Sequence, residues 1–469
     1  MNDKNKTSSQ EQVLLSITDF TEQGEGVGKN EQGVWFVPHV IPGDYCRVQT
    51  IKKKKNYLLG KVTDILQPSP FRKNPVCIHF RNCGGCAFQH TEYSFQLEWK
   101  RRRVQEIFRR IGKMDVSDKV MPVIPSEKTV EYRNKMDFSF SSRSWIPAGM
   151  LHDSENNFSS PALGFHVRGH FDKVLHLQQC HLQAPPSDAI RSYIFDFFIK
   201  KNIPFFNIRQ QNGVPRSLII RNNLCGECMV ILSFYENQPE IASELCKNLQ
   251  EKFPQITGFL YYHNPKGNDT LYDLKPVWTS GRTYHTEVVN QIEFRYGPLS
   301  FFQVNVPVAE KIFRTAMEWA CLKGKEVVWD LYCGVGFFSL LFAQKAGFVV
   351  GIESMEEAIQ YARENTHLNN ISNTRFFSGD VKKILLHEKN IPKPDIILCD
   401  PPRSGIDKKV LEIFLQLAPQ KIIYISCNPA TQARDVEILS SKYILTHIQP
   451  FDMFPQTPHI ENVCVLERK

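Results

Sequence analysis

Residues 422–431 read Ile-Ile-Tyr-Ile-Ser-Cys-Asn-Pro-Ala-Thr. An apolar strand that ends in a thiol and an Asn-Pro turn puts the thiol at the strand's carboxyl end. A cysteine on such a strand is ordinarily a small core residue, but the Asn428-Pro429 turn makes Cys427 a candidate nucleophile. Glu461 opens the final apolar run, two residues after His459, and residues two apart in a strand share a face. If that last strand returns beside the strand carrying Cys427, Glu461 becomes a candidate general base. Four other strand candidates end in acids: Asp330 in DLYCGVGFFS, Glu353 in VVGIE, Asp380 after Gly379, and Asp400 in DPPR. Gly334 and Gly336 allow the tight turn and close approach that a nucleotide-like ligand requires. A pyrophosphate would want a third glycine, where Ser339 stands, and would be repelled by Asp330. A cationic sulfonium donor, S-adenosylmethionine, suits the same acids, and Glu353 can accept from its ribose hydroxyls.

A thiol beside a methyl donor has a use on a uracil ring, whose C5 is too weak a nucleophile to take a methyl group unaided. Addition of Cys427 at C6 makes C5 carbanion-like, and a base such as Glu461 must then remove the C5 proton so that the thiolate can leave. In Phe301-Phe302-Gln303-Val304-Asn305, Gln303 is placed to hydrogen-bond a uracil carbonyl and Phe301 to stack on a flat ring, although packing is the ordinary role of such phenylalanines. Arg403 follows Asp400-Pro401-Pro402, where exocyclic-amine methyltransferases carry a base-stacking aromatic residue. Amino methylation therefore loses weight, and Asp400 and Arg403 fall on the substrate side. No cysteine follows Pro402, so the cytosine-C5 pattern is missing as well.

Cys77, Cys83 and Cys86 are spaced C-x5-C-x2-C around Gly84-Gly85, with Cys180 far downstream. Three clustered thiols and one distant one suit either a [4Fe–4S] cluster or a zinc site. The spacing is not that of paired C-x2-C zinc modules. Cys225 and Cys228 also form a C-x2-C pair, but with no partners nearby they read as structural.

These residues need elements to position them. The 469-residue chain is 42% hydrophobic and 23% charged, enough for several cores, with a formal charge of +8 that permits an acidic partner. No apolar run has the ~18–20 residues of a membrane span, and MNDKNKTSSQEQ has no apolar signal core, so a soluble cytosolic protein is expected, with cysteines kept as thiols or metal ligands. Residues 1–66 hold short β-rich runs and turn signals that predict a small OB-like barrel, with Lys52–Lys55 on one hairpin. Residues 67–290 mix strands and helices as an α+β region. Its helix at 97–112 carries Trp99, Val104, Ile107, Phe108 and Ile111 at helical spacing, with arginines on the other faces. Residues 291–469 alternate strand and helix, which predicts an α/β, doubly wound, Rossmann-like domain with its ligand at the carboxyl strand ends.

Over nearly its whole length the chain resembles the RNA (uracil-5-)-methyltransferase family, in its bacterial 23S rRNA branch. GEGVG, WFVPHVIPGD and IKKKKNYLLGKV resemble a TRAM domain, and PSPFRKNPVCIHFRNCGGCAFQH resembles that branch's iron–sulfur segment. FFQVN, DLYCGVGFFS, GIE, CDPPRSG, ISCNPAT and HIENV match the catalytic motifs in order. The resemblance implies that Cys77, Cys83, Cys86 and Cys180 hold a [4Fe–4S] cluster. It implies that Gln303, Tyr332, Glu353 and Asp400 bind S-adenosylmethionine or line its site, that Cys427 is the nucleophile and that Glu461 is the base. It places helix 97–112 against the catalytic domain. Because tRNA-acting relatives generally lack the barrel and the cluster, it favours rRNA over tRNA. Phe337 departs from the Asn of some relatives. Two rivals stand beside this reading: a non-catalytic RNA-binding factor on the same scaffold, disfavoured by the intact Cys427 and Glu461, and a radical enzyme, whose C-x3-C-x2-C spacing and barrel fold are not seen.

Overall fold

The computed structural model describes residues 12–146 and 160–469; the N-terminal stretch read for a signal lies, up to residue 11, outside them. The chain forms two compact units. One holds the described residues up to Trp99 with Gln456–His459, the other Lys100–Pro455 with Ile460–Lys469.

In the first unit, β1 (Gln12–Phe20), β2 (Gly26–Asn30), β3 (Gly33–Val37), β4 (Tyr45–Lys53) and β5 (Leu58–Gln67) close a barrel in the order β1-β2-β3-β5-β4. Alternate residues fill it, among them Leu15, Ile17, Trp35, Val37, Val48 and Leu58. Gly60 is required by space, since a Cβ there would meet Val48 Cγ1 at 2.3 Å. Asp44 anchors the chain leaving the barrel by accepting from the Ile41 and Ser69 amides at 2.8 and 2.9 Å. Helix α1 (Tyr93–Arg110) begins in this unit, where Trp99 Nε1 donates to Asp19 at 2.7 Å.

The second unit holds two seven-stranded sheets. The first is built from β6 (Lys135–Ser141), β7 (Ala162–His166), β8 (Val174–His176), β9 (Pro215–Asn222), β10 (Cys228–Phe234), β11 (Ile256–His263) and β12 (Trp278–Gly281), with helices α2 (Ser187–Lys200) and α3 (Pro239–Lys252). Its strand order is β12-β11-β10-β9-β6-β7-β8. A hairpin, β13 (His285–Val289) and β14 (Ile292–Tyr296), leads to α4 (Val306–Ala320). The second sheet follows as β15 (Val327–Leu331), α5 (Phe337–Ala343), β16 (Phe348–Glu353), α6 (Glu356–Leu368), β17 (Thr374–Ser378), α7 (Val381–His387), β18 (Ile396–Cys399), α8 (Lys408–Leu417), β19 (Lys421–Ser426), α9 (Pro429–Leu439), β20 (Tyr443–Phe451) and β21 (Glu461–Arg468). Its order is β17-β16-β15-β18-β19-β21-β20. The first five strands pair in parallel, and β21 lies antiparallel between β19 and β20.

Both faces of this sheet are covered, as the doubly wound expectation requires. Helices α4, α5 and α6 pack on one face. On the other, α8 and α9 pack together with Val104, Ile107 and Phe108 of α1. Ile111, expected on that apolar stripe, is 42% exposed because α1 ends at Arg110.

Candidate active site

The loop after β15 is built by backbone conformation. Tyr332, Gly334 and Gly336 have φ of +66°, +54° and +83°, so three residues of the turn into α5 take the left-handed conformation. A Cβ on Gly336 would meet Leu340 Cδ1 at 2.8 Å and Ala362 Cβ at 3.2 Å. Gly334 donates its amide to Glu353 Oε2 at 3.2 Å, while Oε1 accepts from Ser354 Oγ and the Met355 amide. Glu353 therefore organises the loop with lone pairs left for a ligand.

Asp330 sits at the floor of this site, 1% exposed. Its Oδ2 accepts from Ser339 Oγ at 2.5 Å, while its buried Oδ1 has no partner. Burial pushes its carboxyl up to about 7; Asp400 and Glu353 push the same way, and the Ser339 bond opposes them. A buried acceptor with an open lone pair and two neighbouring carboxylates fits a cationic ligand. Ser339, read in the sequence as a missing glycine, is thus the side chain that orients Asp330. Burial also raises the Tyr332 phenol.

Asp380 takes a different part. It caps α7 by accepting from the Lys383 amide at 3.0 Å, and it is exposed. An acid after a strand is equally the residue a helix start selects, and the cap engages Oδ1 of Asp380.

Cys427 follows β19 directly and is half-buried. Ser426 pairs with Asn462 across β19 and β21, so Cys427 and Glu461 leave the sheet at the same edge. This is the return strand the sequence required. Because β21 begins at Glu461, strand alternation does not reach His459. Glu461 is 7% exposed, and burial with Asp400 nearby holds its carboxyl well above the usual range, against the pull of Arg403. The thiol is raised to about 11 by burial, then by Glu461 and Asp400; the charge and hydrogen bond of Arg403 act against them. Burial raises Asp400 to about 7, opposed by Gln303, whose Nε2 donates to Asp400 Oδ2 at 3.4 Å. Cys427, Glu461, Asp400, Arg403 and Gln303 therefore form one constellation.

Phe301 is 69% exposed, whereas Phe302 is buried and stacked on Tyr296 at 4.3 Å. The segment between Phe301 and Val304 is held from the first sheet's side of the unit. The side-chain amide of Asn134 donates to the Gln303 carbonyl at 2.9 Å, and its backbone amide donates to the Val304 carbonyl at 2.9 Å. Arg221 bonds the carbonyls of Pro298 and Ser300 at 2.8 and 2.5 Å. Neither residue lies in a motif the sequence reading singled out, because each acts on a loop far along the chain.

Cys77, Cys83 and Cys86 occupy one glycine-containing loop of the first unit, all half-buried, and Cys180 belongs to the second unit. The Gly85 amide points at Cys83 Sγ at 3.4 Å, a contact of the kind that stabilises a sulfur ligand. Among the described residues, no group of three or more His, Cys, Asp or Glu is gathered closely enough to hold a metal ion. Cys225 is exposed while Cys228 is buried in β10, so this pair faces two environments.

Two family models match the chain: tRNA (Uracil-5-)-methyltransferase over residues 284–469 and TRAM domain over residues 10–63. An uncharacterized RNA methyltransferase of Porphyromonas gingivalis is 41% identical, covering 97% of this chain and 99% of its own. One from Bacteroides thetaiotaomicron is 39% identical over 95% of this chain and 99% of its own. Among solved structures, Pyrococcus abyssi tRNA (uracil-54, C5)-methyltransferase in complex with S-adenosyl-L-homocysteine superposes with a TM-score of 0.75. It is 26% identical, covering 97% of this chain and 100% of its own. Fold and site together define an S-adenosylmethionine-dependent RNA methyltransferase. The chain belongs to the RNA (uracil-5-)-methyltransferase family.

That structural match bears on the argument for rRNA. Coverage of 97% cannot omit a barrel running from Gln12 to Gln67, so the barrel does not separate rRNA enzymes from tRNA enzymes. No helix among the described residues is long and apolar enough to cross a membrane.

Proposed function

We propose that this enzyme methylates C5 of a uridine through a covalent adduct on Cys427. The observation that carries the proposal is the β19–β21 register, which brings thiol and carboxyl to one edge beside Asp400 and Arg403. Asp330, Glu353, Tyr332 and the Gly334–Gly336 turn would hold S-adenosylmethionine, whose part is to supply an electrophilic methyl group. Phe301 stacks on the uracil, while Gln303, Asp400 and Arg403 meet its polar edge. The Cys427 thiolate forms a bond to C6, and the ring's electron pair moves to C5. C5 then takes the methyl group, and the donor's bond between sulfur and that methyl would break to leave a neutral thioether. Glu461 removes the C5 proton, the C5=C6 bond re-forms, and the C6–sulfur bond breaks to return the thiolate.

Cys77, Cys83, Cys86 and Cys180 are the residues that would hold a [4Fe–4S] cluster, in keeping with the thiol-only donor set and the amide at Cys83. Methyl transfer is redox-neutral, so the cluster's place is structural. Iron and acid-labile sulfide in the purified protein, with turnover that needs no reductant, test this. The cysteine segment favours 23S rRNA in the cytosol, with the barrel gripping phosphates; the likeness to a tRNA enzyme favours tRNA. Incubation with labelled donor and total RNA, followed by nucleoside mapping, separates the two substrates. Cys427→Ala should abolish product and Glu461→Gln should accumulate a protein–RNA adduct. A protein that binds RNA but makes no 5-methyluridine would be a non-catalytic factor.

A further inference from the structure

Among the described residues, the most exposed large apolar side chain is Phe171, at 74%. It stands on the β7–β8 turn, closed by the Val167 amide on the Lys173 carbonyl at 2.9 Å, with Gly169 at φ +77°. Hairpin tips ordinarily carry polar residues because nothing covers them. Here an aromatic ring is held out among cations. Arg168 and His170 are exposed on the same turn. A parallel bridge between Ser144 and Val174 sets Arg143 beside Lys173. Arg209, 77% exposed, donates from Nε to Asp172 at 3.0 Å, and Asp172 is only 10% exposed, so the charge presented outward is positive. At the foot of the hairpin lies a small cleft whose lining mixes Phe140, Val174, Phe206 and Ile208 with His166 and Arg216. His166 Nδ1 is buried there without a partner.

A flat π face surrounded by cations suits a nucleobase and its phosphates better than an apolar peptide. We propose that this hairpin docks an unpaired segment of the RNA substrate, with a base stacked on Phe171 and phosphates held by Arg143, Arg168, Lys173 and Arg209. The inference rests on the reading of RNA as substrate. It adds a docking point on a different sheet from Cys427, so the stacked base is not the methylated one.

Phe171→Ala should raise KM for RNA about tenfold, the scale of one base–aromatic stack, with kcat and thermal midpoint unchanged. Phe171→Trp should restore KM, and its new indole should be quenched on adding RNA. Arg168→Gln with Lys173→Gln should flatten the log–log salt dependence of RNA affinity by about 1.4, or roughly 0.7 for each phosphate no longer neutralised. A KM within twofold of wild type in Phe171→Ala, or an indole that RNA leaves unquenched, overturns the proposal. Quenching is read without turnover. An RNA-quenched Phe171→Trp protein that makes no 5-methyluridine would thus uphold the docking surface and refute only the methylation.

Discussion

Cys427, the proposed nucleophile, is stored as its acid. With the thiol near 11, almost none is thiolate at neutral pH; burial and two nearby carboxyls hold it there, and Arg403 alone opposes them. Glu461, raised by burial and Asp400, must also lose its proton before it can act as base. Both requirements have the same sign. The ratio kcat/KM should climb between pH 6 and 9, by about tenfold per unit where thiolate is scarce. Removing the cation in Arg403→Gln displaces that limb to higher pH and lowers activity about tenfold at pH 7. A flat profile in the wild type, or an unmoved limb in the variant, would show that another group controls the chemistry. The donor site carries a related expectation. Asp330 and Asp400, both near 7, ionise as pH rises, so a cationic donor should raise the thermal midpoint more at pH 8 than at pH 6.

One helix relates the catalytic loops to each other. From α9 and its cap, Asn428 Nδ2 and Thr431 Oγ1 both donate to the Arg403 carbonyl, at 2.9 and 3.2 Å. Asp435 accepts from the Ile406 amide and the Tyr424 hydroxyl, each at 2.8 Å. Gln432 donates to the carbonyls of Tyr424 and Asn462 and accepts from Asn462 Nδ2 at 2.6 Å, all fully buried. Asn462 is the neighbour of Glu461, so this amide pair ties the helix that follows Cys427 to the strand carrying Glu461. Gln432→Leu leaves buried polar groups unsatisfied and should destabilise the fold by ~1–3 kcal/mol. It should also retain part of the covalent RNA adduct, since addition survives while the base is slackened. Denaturant midpoints and gel-shifted protein measure the two effects, and an adduct-free variant with wild-type turnover would refute the coupling. This level of organisation was only partly legible in the sequence. Apolar runs and glycine turns marked the sheet and the strand ends, because burial and backbone freedom leave local signatures. The cap formed by Asp380 was not foreseen, because an acid after a strand can bind a ligand or cap a helix with the same residue type. Ser339, Gln432 and Asn134 were missed because their roles depend on partners that only the fold brings near.

At the scale of the molecule, the basic excess is divided between solvent and scaffold. Lys52–Lys55 are exposed on the barrel, and Arg102, Arg109 and Arg110 are exposed on α1. Other α1 cations are spent internally: Arg101 Nε bonds the Val120 carbonyl at 3.2 Å, and Lys100 is completely buried. Lys100 Nζ donates to Asp452 at 2.6 Å and to the Phe454 carbonyl at 3.3 Å, while the other Asp452 oxygen has no partner. Burial depresses the Lys100 pKa, and Asp452 is what resists that. The pair links α1 to the connection between β20 and β21, elements hundreds of residues apart in sequence. A buried pair of this kind adds little over a well-packed apolar one, but breaking it from one side strands a charge. Lys100→Met should therefore destabilise the protein by ~3–5 kcal/mol. The double variant Lys100→Met with Asp452→Leu should recover most of that loss, because no unpaired carboxylate remains. Urea unfolding of the single and double variants decides it: equal midpoints for the two would mean that the lysine's packing, and not its charge, holds α1 to the catalytic sheet.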